Sequence, residues 1–237
     1  MIIINSHRFG PPPPYVPPTP PINPVVWSTA DSITGKNNGD ALTTWADTGS
    51  NGYAWTASSS PQYRSTEGPN GLPCILMDIT TGVMIGNAGV GTAMNAGTAG
   101  EVFMVVKAAA SSGDSASWKW GISGNSPHYH YGNANTYYDD SLRTDRTGYT
   151  SQWDMTAWTL VNFSMSAGVW TARANSTLWT TATGKTFSCR SQPILGASDI
   201  YNNTGFRMAE VACFSRALTG QERSDMESLL NTKYNLW

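Results

Sequence analysis

Apolar and polar positions along the chain alternate mostly with the period of two that strands require. At Phe206, Met208, Val211, Cys213 and Phe214 the spacing predicts a strand with one buried face. Five apolar residues in succession, Val102 to Val106 within the run Glu101 to Ala110, predict a buried central strand. Trp118, Trp120 and Ile122 alternate with Lys119 and Gly121, the pattern of a strand with one apolar face. Trp158, Leu160, Val161 and Phe163 read as another core strand, and residues 168–184 as a hairpin turning at Ala174-Asn175-Ser176. The period changes only at the end. Thr219 stands three residues before Glu222, the spacing of a capping box, and Met226, Leu229, Leu230 and Tyr234 then recur as one helical stripe. The chain is predicted to close as strand, turn and amphipathic helix.

Composition agrees with a β protein of one sizeable domain. The 237 residues are rich in Gly, Ser, Thr and Asn, which suit strands and turns. Charged residues make up 13% and the formal net charge is -2. A nucleic-acid partner would need clustered Lys and Arg, so this balance argues against one. No apolar run reaches the length of a membrane span. Met1-Ile2-Ile3-Ile4 is too short and lacks the basic flank for a signal peptide, which predicts folding in the cytoplasm of the producing cell. Cys74, Cys189 and Cys213 fall in apolar segments and cannot all pair, so buried free thiols are expected. Ten Trp and ten Tyr fit a sandwich core, with an exposed aromatic platform as the other use.

Nine of the fourteen prolines lie between Pro11 and Pro24, a segment that lacks the N–H donors to join a sheet and favours polyproline II. Two units follow: an arm, residues 1–24, and a domain, residues 25–237. The arm reads either as a linker or as a docking peptide, Ile2, Ile3, Ile4, Arg8 and Phe9, on a stiff proline spacer.

The closing "MAEVACFSRALTGQERSDMESLLNTKYNLW" resembles the end of the concanavalin A-like lectin/glucanase superfamily, in its laminin G-like branch. Asp31, Gly39-Asp40, Trp45, Asp47, Gly49, Asn51-Gly52, Pro61 and Tyr63 fall in the order of that family's opening. Gly71 to Asp78 and Pro193 to Ala197 match two later strands. The resemblance implies an all-β fold: an antiparallel β-sandwich jelly roll with a short C-terminal helix, here behind an extended arm. "INSHRFGPPPP" is similar to the short start that precedes such domains in tailed-phage virion proteins. That likeness implies a virion protein assembled in host cytoplasm, docked to capsid or tail by its arm and displaying a lectin-like domain that meets surface glycans. A homo-oligomer is compatible with this, although no heptads demand one. The alternative is a free carbohydrate-binding module or adhesin.

Family binding surfaces lie on rim loops or the concave sheet, which directs attention to residues 123–153. Tyr129, Tyr131, Tyr137, Tyr138 and Trp153 could stack on sugars while Asn133, Asn135 and Asp139 bind hydroxyls. Loop packing or subunit contact is the other reading of the same residues. His128 and His130 share a strand face but carry a weak metal signal, and no resident cofactor is expected. Asp139, Asp140 and Asp145 are the one acidic cluster able to hold calcium. Glycoside hydrolysis needs two carboxylates facing one bond, and the hydrolase run of the superfamily, Glu-x-Asp-x-x-Glu, is missing. No enzyme is predicted.

Overall fold

The computed structural model describes residues 22–78, 82–108, 117–122, 136–150, 156–197 and 205–237. The strands before the first helix are β1 Val26–Thr29, β2 Thr44–Ala46, β3 Ala54–Ser59, β4 Gln62–Arg64, β5 Cys74–Met77 and β6 Gly82–Gly86; the helix α1 is Ala88–Met94. Then come β7 Gly100–Lys107, β8 Trp118–Lys119, β9 Thr136–Asp139, β10 Thr147–Thr150, β11 Thr159–Ser166, β12 Val169–Ala174 and β13 Thr177–Ala182. The chain ends with β14 Ile194–Leu195, β15 Phe206–Phe214 and the helix α2, Gly220–Tyr234.

Two antiparallel sheets face each other. The larger runs β13-β12-β11-β7-β15-β5-β4, with β1 also on β15; the smaller runs β2-β3-β6-β14-β8. The jelly-roll sandwich of the sequence reading is the observed architecture. Between the sheets, Trp45, Trp55, Trp118, Trp120 and Trp170 are fully buried with Met77, Met104, Val106 and Phe163. So the tryptophans of this list fill the core, as bulky residues between close-packed layers should.

The larger sheet is covered on its other face too. Trp27, Phe103, Val105, Ala212 and Phe214 meet Met226, Leu230 and Tyr234 of α2 there. This corrects one expectation: β15 buries both faces, with Met208, Val211 and Cys213 inward and Ala209, Ala212 and Phe214 under the helix. The register of β15 against β7 shifts between Met208 and Glu210. That bulge lets Ala209 and Glu210 both serve the helix side, since one extra residue re-aims the side chain after it. The capping box of α2 forms as read: Glu222 N donates to Thr219 Oγ1 at 3.2 Å, and Thr219 N donates to Glu222 Oε2 at 2.9 Å. The hairpin turn also forms, with Asn175 and Ser176 at φ 46° and 63°, the left-handed pair that suits a two-residue turn.

Two local readings differ from the structure. The predicted strand at 118–122 is only two residues long. At Gly121 the backbone of Asp140 and Arg143 presses so close that a Cβ would collide with it, and beyond it Ile122 is 52% exposed. Lys119, expected on an open face, is buried under the same segment. The helix α1 was not foreseen, because its Gly-rich sequence carries little propensity. Asn87 caps it, accepting from Gly89 N at 2.7 Å, and Gly91 lies against the backbone carbonyls of Arg190 and Ser191.

Candidate functional site

The residues proposed for sugar stacking divide in two. Tyr129, Tyr131, Asn133, Asn135 and Trp153 lie outside the described residues, as do Ile2, Ile3, Ile4, Arg8 and Phe9 of the arm and His128 and His130. Tyr137, Tyr138 and Asp139 form β9, which pairs with β10 as a separate hairpin, Tyr138 opposite Gly148.

Tyr137 is not on an open platform. It is fully buried, stacked 6.1 Å from Tyr149 and edge-on to Trp179 at 5.0 Å. Trp170 and Trp179 on β12 and β13 extend the inner face of the large sheet, and the hairpin closes over them. Arg143 lies 3.9 Å over the Trp170 ring, donates to Thr147 Oγ1 at 2.7 Å, and donates to the Asp139 carbonyl. Burial lowers the Arg143 pKa from its ordinary value, although Asp139 and Asp145 oppose this. Burial, then Asp139, pushes the Tyr149 phenol well up. This aromatic group packs the fold.

The acidic cluster does not converge either. Asp139 accepts from Ser141 N at 2.5 Å and Trp118 Nε1 at 3.4 Å, Asp140 pairs with Lys119 at 2.8 Å, and Asp145 with Lys185 at 2.5 Å. Each carboxylate serves its own donor. Among the described residues no three His, Cys, Asp or Glu side chains gather as a metal site.

All five glutamates are also engaged within the fold. Glu101 takes Arg223 at 2.6 and 2.8 Å, Asn162 Nδ2 at 2.9 Å and Leu218 N at 2.8 Å. Glu210 takes Lys233 at 2.7 Å, Tyr234 Oη at 2.7 Å and Trp27 Nε1 at 2.5 Å. Burial opposes the Lys233 charge, but Glu210 and Asp31 outweigh it and its pKa stands above the usual lysine value. Glu67 pairs with Arg207 at 2.9 Å, Glu222 with Arg216 at 2.6 Å, and buried Glu227 is hydrogen-bonded by Ser176. Glu210 thus has a structural role, and its cation is Lys233.

The described residue set does hold an open cleft elsewhere, on the outer face of the smaller sheet. It has a volume of about 430 Å³ and is lined by Thr56 and Ala57 of β3, Ile85 and Gly86 of β6, Asn87 before α1, and Gln192. Thr56 pairs with Ile85 in register, so the hydroxyl of β3 and the apolar side chain of β6 share this face. Gly86 stands opposite Trp55 in register, so a side chain there would press Pro193 and the Trp55 ring, and only its backbone lines the cleft. Gln192 Nε2 reaches the Gly86 carbonyl at 3.5 Å, which leaves its Oε1 as an acceptor. Asn87 uses Oδ1 to cap α1, which leaves its NH2 as a donor. The lining side chains are neutral, a mixture of hydroxyl, amide and hydrocarbon, chemistry that suits a polyhydroxylated ligand. Sequence reasoning passed over this site; the polar Thr56-x-Ser58 alternation on β3 was its one visible trace.

No family model and no curated protein matches the chain in sequence. Solved structures do match it in shape. The binding domain of botulinum neurotoxin DC, in complex with rat synaptotagmin II, aligns at TM-score 0.60 and 11% identity, covering 89% of this chain and 52% of the other. The same domain in complex with SialylT aligns at 0.59 and 11%, covering 83% and 51%. Domain 4 of AbnA, a GH43 extracellular arabinanase from Geobacillus stearothermophilus, in complex with arabinotriose, aligns at 0.57 and 11%, covering 87% and 98%. The chain thus spans about half the length of the neurotoxin binding domains and nearly all of the arabinanase domain. At this identity the likeness is one of fold, a β-sandwich.

Proposed function

We propose that the chain is a non-catalytic recognition module that binds glycans through the outer cleft of the smaller sheet. The observation that carries this reading is the cleft itself: the neutral hydrogen-bonding side chains of Thr56 on β3, Asn87 before α1 and Gln192 gather on one open face, while every glutamate has a partner within the chain. The structural neighbours support it, since one was solved with arabinotriose and another with SialylT. Tyr129, Tyr131, Asn133, Asn135 and Trp153, which lie outside the described residues, are proposed as further glycan contacts on their aromatic and amide chemistry alone.

The finer reading concerns setting. The arm resembles the start of tailed-phage virion proteins, and on that ground the module decorates a virion. Ile2, Ile3, Ile4, Arg8 and Phe9 would dock on capsid or tail, and the domain would be displayed outward. A protein receptor is the second reading, favoured by the neighbour in complex with synaptotagmin II.

The full chain on a glycan array, with reducing-end release assayed in parallel, tests the first reading. Retained glycans without release support it; release of reducing ends, or an empty array, overturns it. For the setting, the peptide of residues 1–24 is tested against separated proteins of the source particle. Capture of a capsid or tail protein supports the virion role, and capture of none contradicts it.

A further inference from the structure

A second concavity lies on the opposite side of the molecule, beside α2. Its volume is about 600 Å³, and it is lined by Leu72 and Leu229 together with Asn70, Ser228 and Thr232 and the charged Asp225 and Lys233. Leu72 and Leu229 are half-buried and belong to the apolar cluster beneath the helix. Ile22, the first described residue, packs against that same cluster. The residues just after it are held in place: Asn51 Nδ2 donates to the carbonyls of Pro24 and Val25 at 3.1 and 2.9 Å. The described chain therefore begins at the same apolar cluster that Leu72 and Leu229 belong to.

We propose that the groove seats the chain's own proline-rich segment, residues 11–21. Eight of these eleven residues are proline. As polyproline II they span roughly 30 Å, more than the roughly 22 Å length of the fifteen-residue α2, so reach is not limiting. The chemistry is matched. Proline offers a ring and a carbonyl but no N–H, so its seat needs hydrocarbon surface and donors rather than acceptors. Leu72 and Leu229 supply the first; the exposed hydroxyls of Ser228 and Thr232 supply the second. Docking costs little order because the segment is already stiff, and the tether makes it an intramolecular event. The inference stands whether or not a glycan is bound.

Cross-linking in the full chain tests it, because the native thiols are buried and do not compete. Tyr15→Cys is combined with Asp225→Cys at the groove, or with Thr44→Cys on the exposed far sheet as control, and mildly oxidised with glutathione disulfide. An intramolecular disulfide at the groove at least tenfold faster than the control, reduced to the control rate by adding Ser228→Trp, supports the seat. Equal rates in the two pairs, predominant intermolecular disulfides, or indifference to Ser228→Trp would overturn it. All four substituted positions lie outside the described core, and coincident thermal unfolding with the parent confirms that each variant is folded.

Discussion

Glu210 on β15 and Lys233 near the end of α2 meet at 2.7 Å, with side chains 1% and 3% exposed. The bulge at Ala209 aims the carboxylate at the helix, and Trp27, Tyr234 and Asp31 complete the group. A similar connection at the other end of the helix joins Glu101 on β7 to Arg223. Helix and sheet are thus fastened at two buried polar points on either side of an apolar seam. Such pairs add little when compared with a well-packed apolar replacement, but breaking one strands a charge.

Glu210→Ala should therefore destabilise the domain by about 3–5 kcal/mol, leaving Lys233 without its main partner. The double variant Glu210→Ala, Lys233→Met should recover part of that loss. Denaturant unfolding of the two variants beside the parent measures both.

Thr219→Ala removes the hydroxyl that accepts the Glu222 amide and should cost about 1 kcal/mol, read as a lowered unfolding midpoint.

Arg216, then the Thr219 amide, holds the Glu222 carboxyl down to about 2. A folded pKa below the unfolded value means stability present at neutral pH and lost as pH falls from the ordinary glutamate range toward 2. Glu222→Gln should lower the melting temperature at neutral pH and flatten its fall across that window, so that parent and variant converge toward pH 2.

Gly121→Ala forces a Cβ into the backbone of Asp140 and Arg143, whereas Gly220→Ala meets open space at the start of α2. The first should cost about 3 kcal/mol and the second almost nothing. Comparing their melting curves checks that the 136–143 segment lies over β8.

Burial pushes the Cys74 and Cys189 thiols up to about 12, and Cys213 well above its ordinary value. A thiol reagent at pH 8 should label none of the three in the native protein and all three after unfolding.

Much of this fold could be read along the chain. β15, β7, the 169–182 hairpin and the capped α2 follow from periodicity and from Thr219 and Glu222, because local pattern decides each of them. Burial of both faces of β15 could not be read, since it depends on where α2 lands; nor could the bulge that turns Glu210. Tyr137 and Asp139 looked like ligand residues because a Tyr- and Asp-rich stretch has the same composition whether it faces solvent or closes a core. The contact with Trp179, forty-two residues on, decides which. The cleft at Thr56, Asn87 and Gln192 was hidden for a related reason: its parts come from β3, β6 and the approach to β14, and only the sheet brings them together.

The most direct test of the account is glycan binding by the full chain and by its Thr56→Trp variant, which fills the cleft from an exposed position without touching the core. With a glycan identified on the array, the account predicts binding by the parent and at least tenfold weaker binding by the variant, both chains unfolding at the same temperature. Undiminished binding by Thr56→Trp would contradict the assignment of the cleft.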